Sequence, residues 1–305
     1  MKTRLFALIL LIALLFCGCA QKIDLYADET EAATETVTAT APPQAPKPSV
    51  QTPAETSPEP ATQEVPIALR LTEEEKAARN ARLAEVLKGK RVSFIGDSIS
   101  TFEGYSNGIE YNATIGDNAV YYKNNKNGFS DVNETWWMQT VSATGMELLV
   151  NNSWSGDRVT SRGIARAKQL HNNDGVKPDV IVVYLGINDF RRGVTEADFK
   201  SAYDKMISGM KAEYPEADVY LCTLVYTSSL ADKTVRPKDV EKHNAAIAEI
   251  AEKHRASVVD LYNGTGITYK NVASHMCDGV LHPNYKGMDQ ITECVLYALA
   301  ETYLK

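Results

Sequence analysis

The sequence predicts an α/β domain in which five short strands form an open, mostly parallel sheet with helices between them. Three observations carry that prediction. Short apolar runs suited to buried strands alternate with longer stretches of helix formers from residue 72 to the end of the chain. The run DVIVVYL at residues 179–185 is apolar almost throughout, as a strand buried on both faces of a parallel sheet requires. The first three runs, near residues 91–95, 146–150 and 179–185, are each followed by Gly, Asn, Ser or Asp, which turn the chain out of a strand.

The amino end has a different character. Lys2 and Arg4 precede an apolar run from Leu5 to Cys17, too short to span a bilayer comfortably and laid out like an export signal. The stretch Leu15-Phe16-Cys17-Gly18-Cys19 resembles the lipobox of bacterial lipoproteins. That resemblance implies lipidation of Cys19 and attachment to a membrane surface without a transmembrane helix; a plain secretory signal or a retained short anchor is the alternative. Residues 1–19 are thus read as the signal. Residues 20–70 are rich in Thr, Ala, Glu and Pro and hold eight of the twelve prolines, so they cannot build a core and are expected to form a disordered tether. Residues 71–305 remain for one domain with a substantial core.

A formal net charge of -7 gives no reason to expect nucleic acid as a partner. Beyond Cys19 only Cys222, Cys277 and Cys294 follow. That odd count, with no CxxC spacing, indicates neither a disulfide scaffold nor a zinc site. No cofactor is implied.

Within the domain, Thr72 and Glu75 form a candidate capping box for a helix reaching Leu87. The run KRVSFIGDSIS at residues 90–100 then supplies the first strand and a Gly-Asp turn that releases Ser98 into the crevice outside the strand ends. Alone, this suits an ordinary turn as well as a nucleophile. An aromatic and polar insertion at about residues 103–133 includes Tyr105, Tyr111, Tyr121, Tyr122 and Phe129; it reads either as a substrate cover or as a flap packing its own aromatics. A helix over residues 134–144 carries Trp136 and Trp137, of which one is expected in the core and the other in the cleft. The second strand, MELLV, leads into Asn151, Asn152, Ser153, Trp154, Ser155 and Gly156, and a helix is expected over residues 159–170.

The exit of the third strand is Gly186-Ile187-Asn188-Asp189. Asn188 can offer amide hydrogens to an oxyanion, whereas Asp189 suits fixing neighbouring amides. A helix over residues 195–214, a fourth strand at 219–226 containing Cys222, a helix over 239–254 and a fifth strand at 257–261 follow. His243 and His254 read as helix-surface residues. The last informative loop holds Asp278 and His282, ahead of a C-terminal helix with an apolar face formed by Met288, Ile291, Val295, Leu296 and Leu299. A histidine with a carboxylate nearby is suited to act as a base at neutral pH.

Taken together, Gly96-Asp97-Ser98-Ile99-Ser100, Ser155-Gly156, Gly186-Ile187-Asn188-Asp189 and Asp278 with His282-Pro283-Asn284 resemble the SGNH hydrolases, or GDSL esterase/lipase family, in order and type from about Lys90 onward. The resemblance implies a flavodoxin-like, three-layer α/β/α sandwich. It further implies Ser98 as nucleophile, His282 as base, Asp278 as its orienter, and an oxyanion hole from the Ser98 and Gly156 amides with the Asn188 side chain. One departure stands out: the family normally places the aspartate three residues before the histidine, where this chain has Gly279. Asp278, four before, needs a bulged loop to reach His282. The implied activity is ester hydrolysis through an acyl-enzyme. Export, tether and aromatic insertion favour O-acetyl groups of carbohydrates, with Tyr105, Trp136, Trp137 and Trp154 as candidate substrate contacts. A lipase or lysophospholipase is the alternative and needs a long apolar groove. A surface carbohydrate-binding protein without turnover is the non-enzymatic alternative.

Overall fold

The computed structural model describes residues 65–105, 120–227 and 237–305. The expectations for the signal, for Cys19, for most of the tether and for Tyr111 lie outside these residues.

Helix α1 (Glu73–Leu87) starts at the expected capping box: the Thr72 amide donates to Glu75 Oε2 at 2.7 Å and the Glu75 amide donates to Thr72 Oγ1 at 3.3 Å. Its buried Leu83 and Leu87 turn inward, and Gly89 leads into β1 (Arg91–Gly96). After the insertion come α2 (Trp136–Thr144) and β2 (Glu147–Ser153). The strand runs three residues further than the apolar pattern suggests. Asn151, Asn152 and Ser153 stay extended because they pair with Phe94, Ile95 and Gly96 of β1, and their side chains find partners: Asn151 Nδ2 donates to the Ser100 carbonyl at 2.9 Å and Asn152 Nδ2 to the Gln169 carbonyl at 3.0 Å.

The expected helix over 159–170 is instead a π turn (Val159–Gly163) followed by the short α3 (Ile164–Arg166). Gly163 marks the reason for tight packing here, since a Cβ on it would stand 3.0 Å from Leu185 and 3.2 Å from Met206. Then follow β3 (Val180–Tyr184), α4 (Ile187–Arg191), α5 (Glu196–Glu213), β4 (Asp218–Cys222), α6 (Pro237–His254), β5 (Ser257–Val259), α7 (Leu261–Gly264), α8 (Val272–His275) and α9 (Tyr285–Tyr303). The strands β4 and β5 are shorter than expected.

All five strands are parallel, in the order β2-β1-β3-β4-β5. Helices α1, α2 and α9 pack together as one layer, and α3, α5 and α6 as the other. Every residue of β3 is buried, as its uninterrupted apolar run requires; burial of each Val or Ile there contributes about 1.5–3 kcal/mol relative to exposure. The chain leaves β1 toward β2 on one side and leaves β3 toward β4 on the other, so a crevice opens beyond the carboxyl ends of β1 and β3.

Two side-chain expectations change. Trp136 and Trp137 are both fully buried; α2 faces β1, and Trp136 sets its ring edge-on to Phe94 at 5.3 Å. Both indoles therefore belong to the core, and neither presents open ring surface. His243 is buried as well, between the rings of Phe190 and Phe199, because α6 turns that position toward α4 and α5.

Candidate active site

The site begins where β1 ends. Gly96 is paired with Ser153 of β2 on one side and Tyr184 of β3 on the other. A Cβ at Gly96 would stand 2.6 Å from Ser100 Oγ and 3.0 Å from the Tyr184 carbonyl, so glycine permits the turn immediately beyond. Asp97 caps that turn by accepting from the Ile99 amide at 3.1 Å, and Ser98 opens it. Since the three strands end in register, Ser98, Gly156 and Asn188 lie a few residues beyond three adjacent strand ends, with the serine on the middle one.

His282 arrives from the far end of the sequence, in the loop between α8 and α9. Its Nδ1 lies 2.7 Å from Asp278 Oδ2 and its Nε2 lies 2.9 Å from Ser98 Oγ. A carboxylate only accepts hydrogen bonds, so the neutral ring donates from Nδ1 to Asp278, and Nε2 accepts from the Ser98 hydroxyl. The four-residue spacing is closed by a tight loop. Gly279 takes φ +71°, and Asp278 Oδ1 accepts from the amides of Val280, Leu281 and His282 at 2.9, 2.8 and 3.1 Å. Burial acts to raise the Asp278 pKa, but the bond from His282 and these amides outweigh it and hold the carboxyl well below its usual range. His282 is thus paired with a carboxylate that stays ionised.

Gly156 has φ +74° with open space where a Cβ would stand, so the left-handed backbone, not crowding, favours glycine there. Its neighbour Asp157 offers a carbonyl to Asn188 Nδ2 at 3.0 Å, which joins the loops after β2 and β3. Asp189, fully buried, accepts from the amides of Val159 and Thr160 at 2.8 and 3.0 Å and from Thr160 Oγ1 at 2.7 Å, the amide-fixing role its sequence position suggests. Gly186, at φ +136°, precedes Asn188 where a Cβ would lie 3.0 Å from the Phe199 ring.

Beneath these loops is a charged residue that sequence reasoning missed. Arg166, almost fully buried, donates from Nη2 to the Gly96 carbonyl at 3.0 Å and from Nε to Asn152 Oδ1 at 3.2 Å, and it pairs with the buried Asp157 carboxylate. It therefore ties the residue preceding the Asp97-Ser98 turn to the loop that carries Gly156. Burial depresses the Arg166 pKa to about 10 against the opposing pull of Asp157. Asp157 itself ionises below its usual range: burial opposes this, but Arg166, the Arg158 amide and Arg162 prevail. The spacing of Arg166 from Val159 gives no guide, because the π turn between them breaks the α-helical period.

Of the remaining candidate contacts, Tyr105 is 43% exposed and leans its ring toward Trp137 at 5.9 Å. Trp154 is partly exposed; its Nε1 donates to Asn152 Oδ1 at 3.2 Å, and Arg162 lies over its ring at 4.8 Å. These two keep aromatic surface available to a ligand, unlike Trp136 and Trp137.

A hydrogen-bonded Ser–His–Asp chain above the switch point of a parallel sheet is the arrangement of a serine hydrolase. Residues 94–290 match the model of the GDSL-like Lipase/Acylhydrolase family, and the chain belongs to that family. It is a GDSL/SGNH-type hydrolase. Similar solved structures include a protein classed as a GDSL-like lipase from Bacteroides uniformis, with 24% identity and a TM-score of 0.51 over 70% of this chain and 96% of that one. A lipase/acylhydrolase from Enterococcus faecalis shares 21% identity, with a TM-score of 0.50 over 70% of this chain and 96% of its own. A variant of an acetyl-xylooligosaccharide esterase from Geobacillus shares 18% identity, with a TM-score of 0.50 over 70% and 95% of the two chains. At these identities the likeness is one of fold. No curated protein matches the sequence.

Proposed function

We propose that this hydrolase is a serine esterase that removes O-acetyl groups from carbohydrates through an acyl-enzyme on Ser98. The observation that carries the catalytic part is the unbroken chain from Asp278 through His282 to Ser98, at 2.7 and 2.9 Å. His282 Nε2 takes the hydroxyl proton as Ser98 Oγ bonds to the ester carbonyl carbon. Asp278 keeps the ring in the required tautomer and compensates the imidazolium. The carbonyl oxygen becomes an oxyanion, which the amides of Ser98 and Gly156 and the Asn188 side chain stabilise; each such donor contributes on the order of 10²–10³-fold in rate. Collapse of this adduct breaks the bond to the alcohol, which leaves with the proton from His282. Water then attacks the acyl-enzyme with His282 again as base, and acetate and free Ser98 result.

The carbohydrate part rests on the partly open aromatic surfaces of Tyr105 and Trp154, which suit the faces of sugar rings, and on a fold shared with an enzyme that acts on acetylated xylooligosaccharides. Export and attachment through lipidated Cys19 belong to the same proposal. Their support is the basic start, the apolar run and the Leu15–Cys19 motif of the sequence, and a surface enzyme on a tether would meet polymeric substrates outside the cell.

The test is turnover by the wild-type chain and Ser98→Ala on acetylated xylan or pectic oligosaccharides, short nitrophenyl esters and long-chain esters. Acetate release from the oligosaccharides by wild type alone supports the proposal. Preference for long acyl chains would replace it with a lipase.

A further inference from the structure

The imidazole of His282 is held by more than Asp278. The ring of Tyr121 lies flat against it, with centroids 3.4 Å apart and planes at 11°. Tyr121 comes from the insertion, and its surroundings show how it is fixed there. Its backbone amide donates to Thr101 Oγ1 at 2.9 Å, and the same hydroxyl donates to the Ser98 carbonyl at 2.9 Å. Its carbonyl accepts from Asn127 Nδ2 at 2.9 Å. The adjacent Tyr122 is fully buried, donates its hydroxyl to the Pro283 carbonyl at 2.8 Å and packs against buried Phe129 at 4.7 Å. Residues 121–129 thus form a strap bonded at one side to the turn of Ser98 and at the other to the loop of His282.

The two tyrosines divide the work. Tyr122 and Phe129 give the strap its apolar footing, while Tyr121 is only partly buried; its ring lies on His282, and among the described residues its hydroxyl meets only Cys277 Sγ at 3.7 Å, a weak partner whose loss should cost little. That contact matters because His282 stands on a loop, outside any helix or strand. The bond to Asp278 fixes one edge of the imidazole but leaves it free to tip about that edge, and tipping carries Nε2 away from Ser98. A ring stacked on the face opposes that motion.

We propose that Tyr121 is a positioning residue for His282, holding the imidazole in the plane that joins Asp278 to Ser98. The inference rests on the reading of Ser98 and His282 as nucleophile and base. It predicts that an aromatic ring, not the phenol hydroxyl, is the requirement at this position.

The experiment compares the full chain with Tyr121→Phe and Tyr121→Leu on a short nitrophenyl ester, with thermal melting of each. Misplacement of a catalytic group by about 1 Å can cost on the order of 10²-fold in rate. Tyr121→Leu is therefore expected to lose roughly 10- to 100-fold in kcat with KM little changed and melting preserved, while Tyr121→Phe stays near wild type. The low-field proton resonance of the imidazole N–H bonded to Asp278 should persist in Tyr121→Phe and broaden in Tyr121→Leu, which a purely structural role would not produce in a folded variant. Should Tyr121→Leu fail to fold, Tyr121→Met supplies the comparison, since its unbranched chain fills irregular gaps. Wild-type kcat and resonance in the non-aromatic variant, or an equal loss in Tyr121→Phe, would overturn the proposal. Failure of the esterase reading has a different signature: Ser98→Ala would then turn over the ester as well as wild type does.

Discussion

The two halves of the site are built by opposite means. The nucleophile half grows from the ends of three adjacent strands and is anchored below by buried charge: Arg166 with Asp157, and Asp189 with the amides of Val159 and Thr160. The base half is a loop closed by backbone bonds from the Cys277 amide to the His282 carbonyl and from the Asn284 amide to the His275 carbonyl, with its side chains aimed by one carboxylate, three local amides and an aromatic strap. Removing a partner from a buried charge pair leaves an uncompensated charge in a poorly solvated place. Removing a local contact in the loop disturbs only what that contact aims. The first half should therefore fail by unfolding, and the second by loss of rate in an intact fold.

The largest effect on stability is expected from Arg166→Met. Breaking a buried pair from one side costs about 3–5 kcal/mol, and a domain of this size loses about 2–4 °C of Tm per kcal/mol, so melting should fall by roughly 10 °C. The half-exposed pair of Arg91 and Asp179, at 2.9 Å, supplies the control: Arg91→Met should cost about 1 kcal/mol or less. Equal losses at the two positions would contradict the argument that burial of the Arg166–Asp157 pair sets its cost.

Asp278→Asn tests the opposite half. It should stay folded, giving up only the stability share of the ionised carboxylate, but lose roughly 10²-fold or more in kcat/KM, which is about 3 kcal/mol of transition-state stabilisation, because the amide no longer compensates the imidazolium. Near-wild-type turnover would show that the four-residue spacing is structural only.

A smaller effect is expected from Asp97, which lies under the nucleophile turn. Burial, first of all, and then the nearby Asp157 and Asp189 push its pKa up to about 7 against the Ile99 amide and Arg166. An unfolded chain loses that proton near pH 4, so between about pH 4 and pH 7 the folded state binds the proton more tightly, and stability falls as pH rises through that window. Asp278 contributes with the opposite sign, through a depressed pKa: its share is present above about pH 4 and is lost as pH falls further. Asp97→Asn keeps an acceptor for Ile99 and should flatten the decline in Tm from pH 4.5 to 7.5. An unchanged slope would contradict the burial argument.

The same contrast explains what could be read from the sequence. Ser98, Gly156 and Asn188 were legible because buried parallel strands are apolar runs and the residues just past them must turn outward. Asp278 and His282 were legible by type and proximity, although only the fold shows Gly279 bending the longer spacing into contact. Arg166 was obscured because a basic residue in a segment of mixed polarity reads as solvent-facing until the π turn shows which side is buried. Trp136 and Trp137 were ambiguous for a related reason: adjacent helical residues point in different directions, and here Phe94 of β1 meets both rings. Tyr121 was visible as one aromatic among several in the insertion, but nothing local tells which of them meets a histidine 161 positions later.

The central claim is that Ser98 is a nucleophile activated by His282. Covalent labelling of the folded chain at neutral pH with a fluorophosphonate probe, followed by peptide mass mapping, tests it most directly. The account predicts a single adduct on Ser98, formed much more slowly in His282→Ala and not at all in Ser98→Ala. An adduct on another residue, or labelling of Ser98→Ala at the wild-type rate, would contradict it.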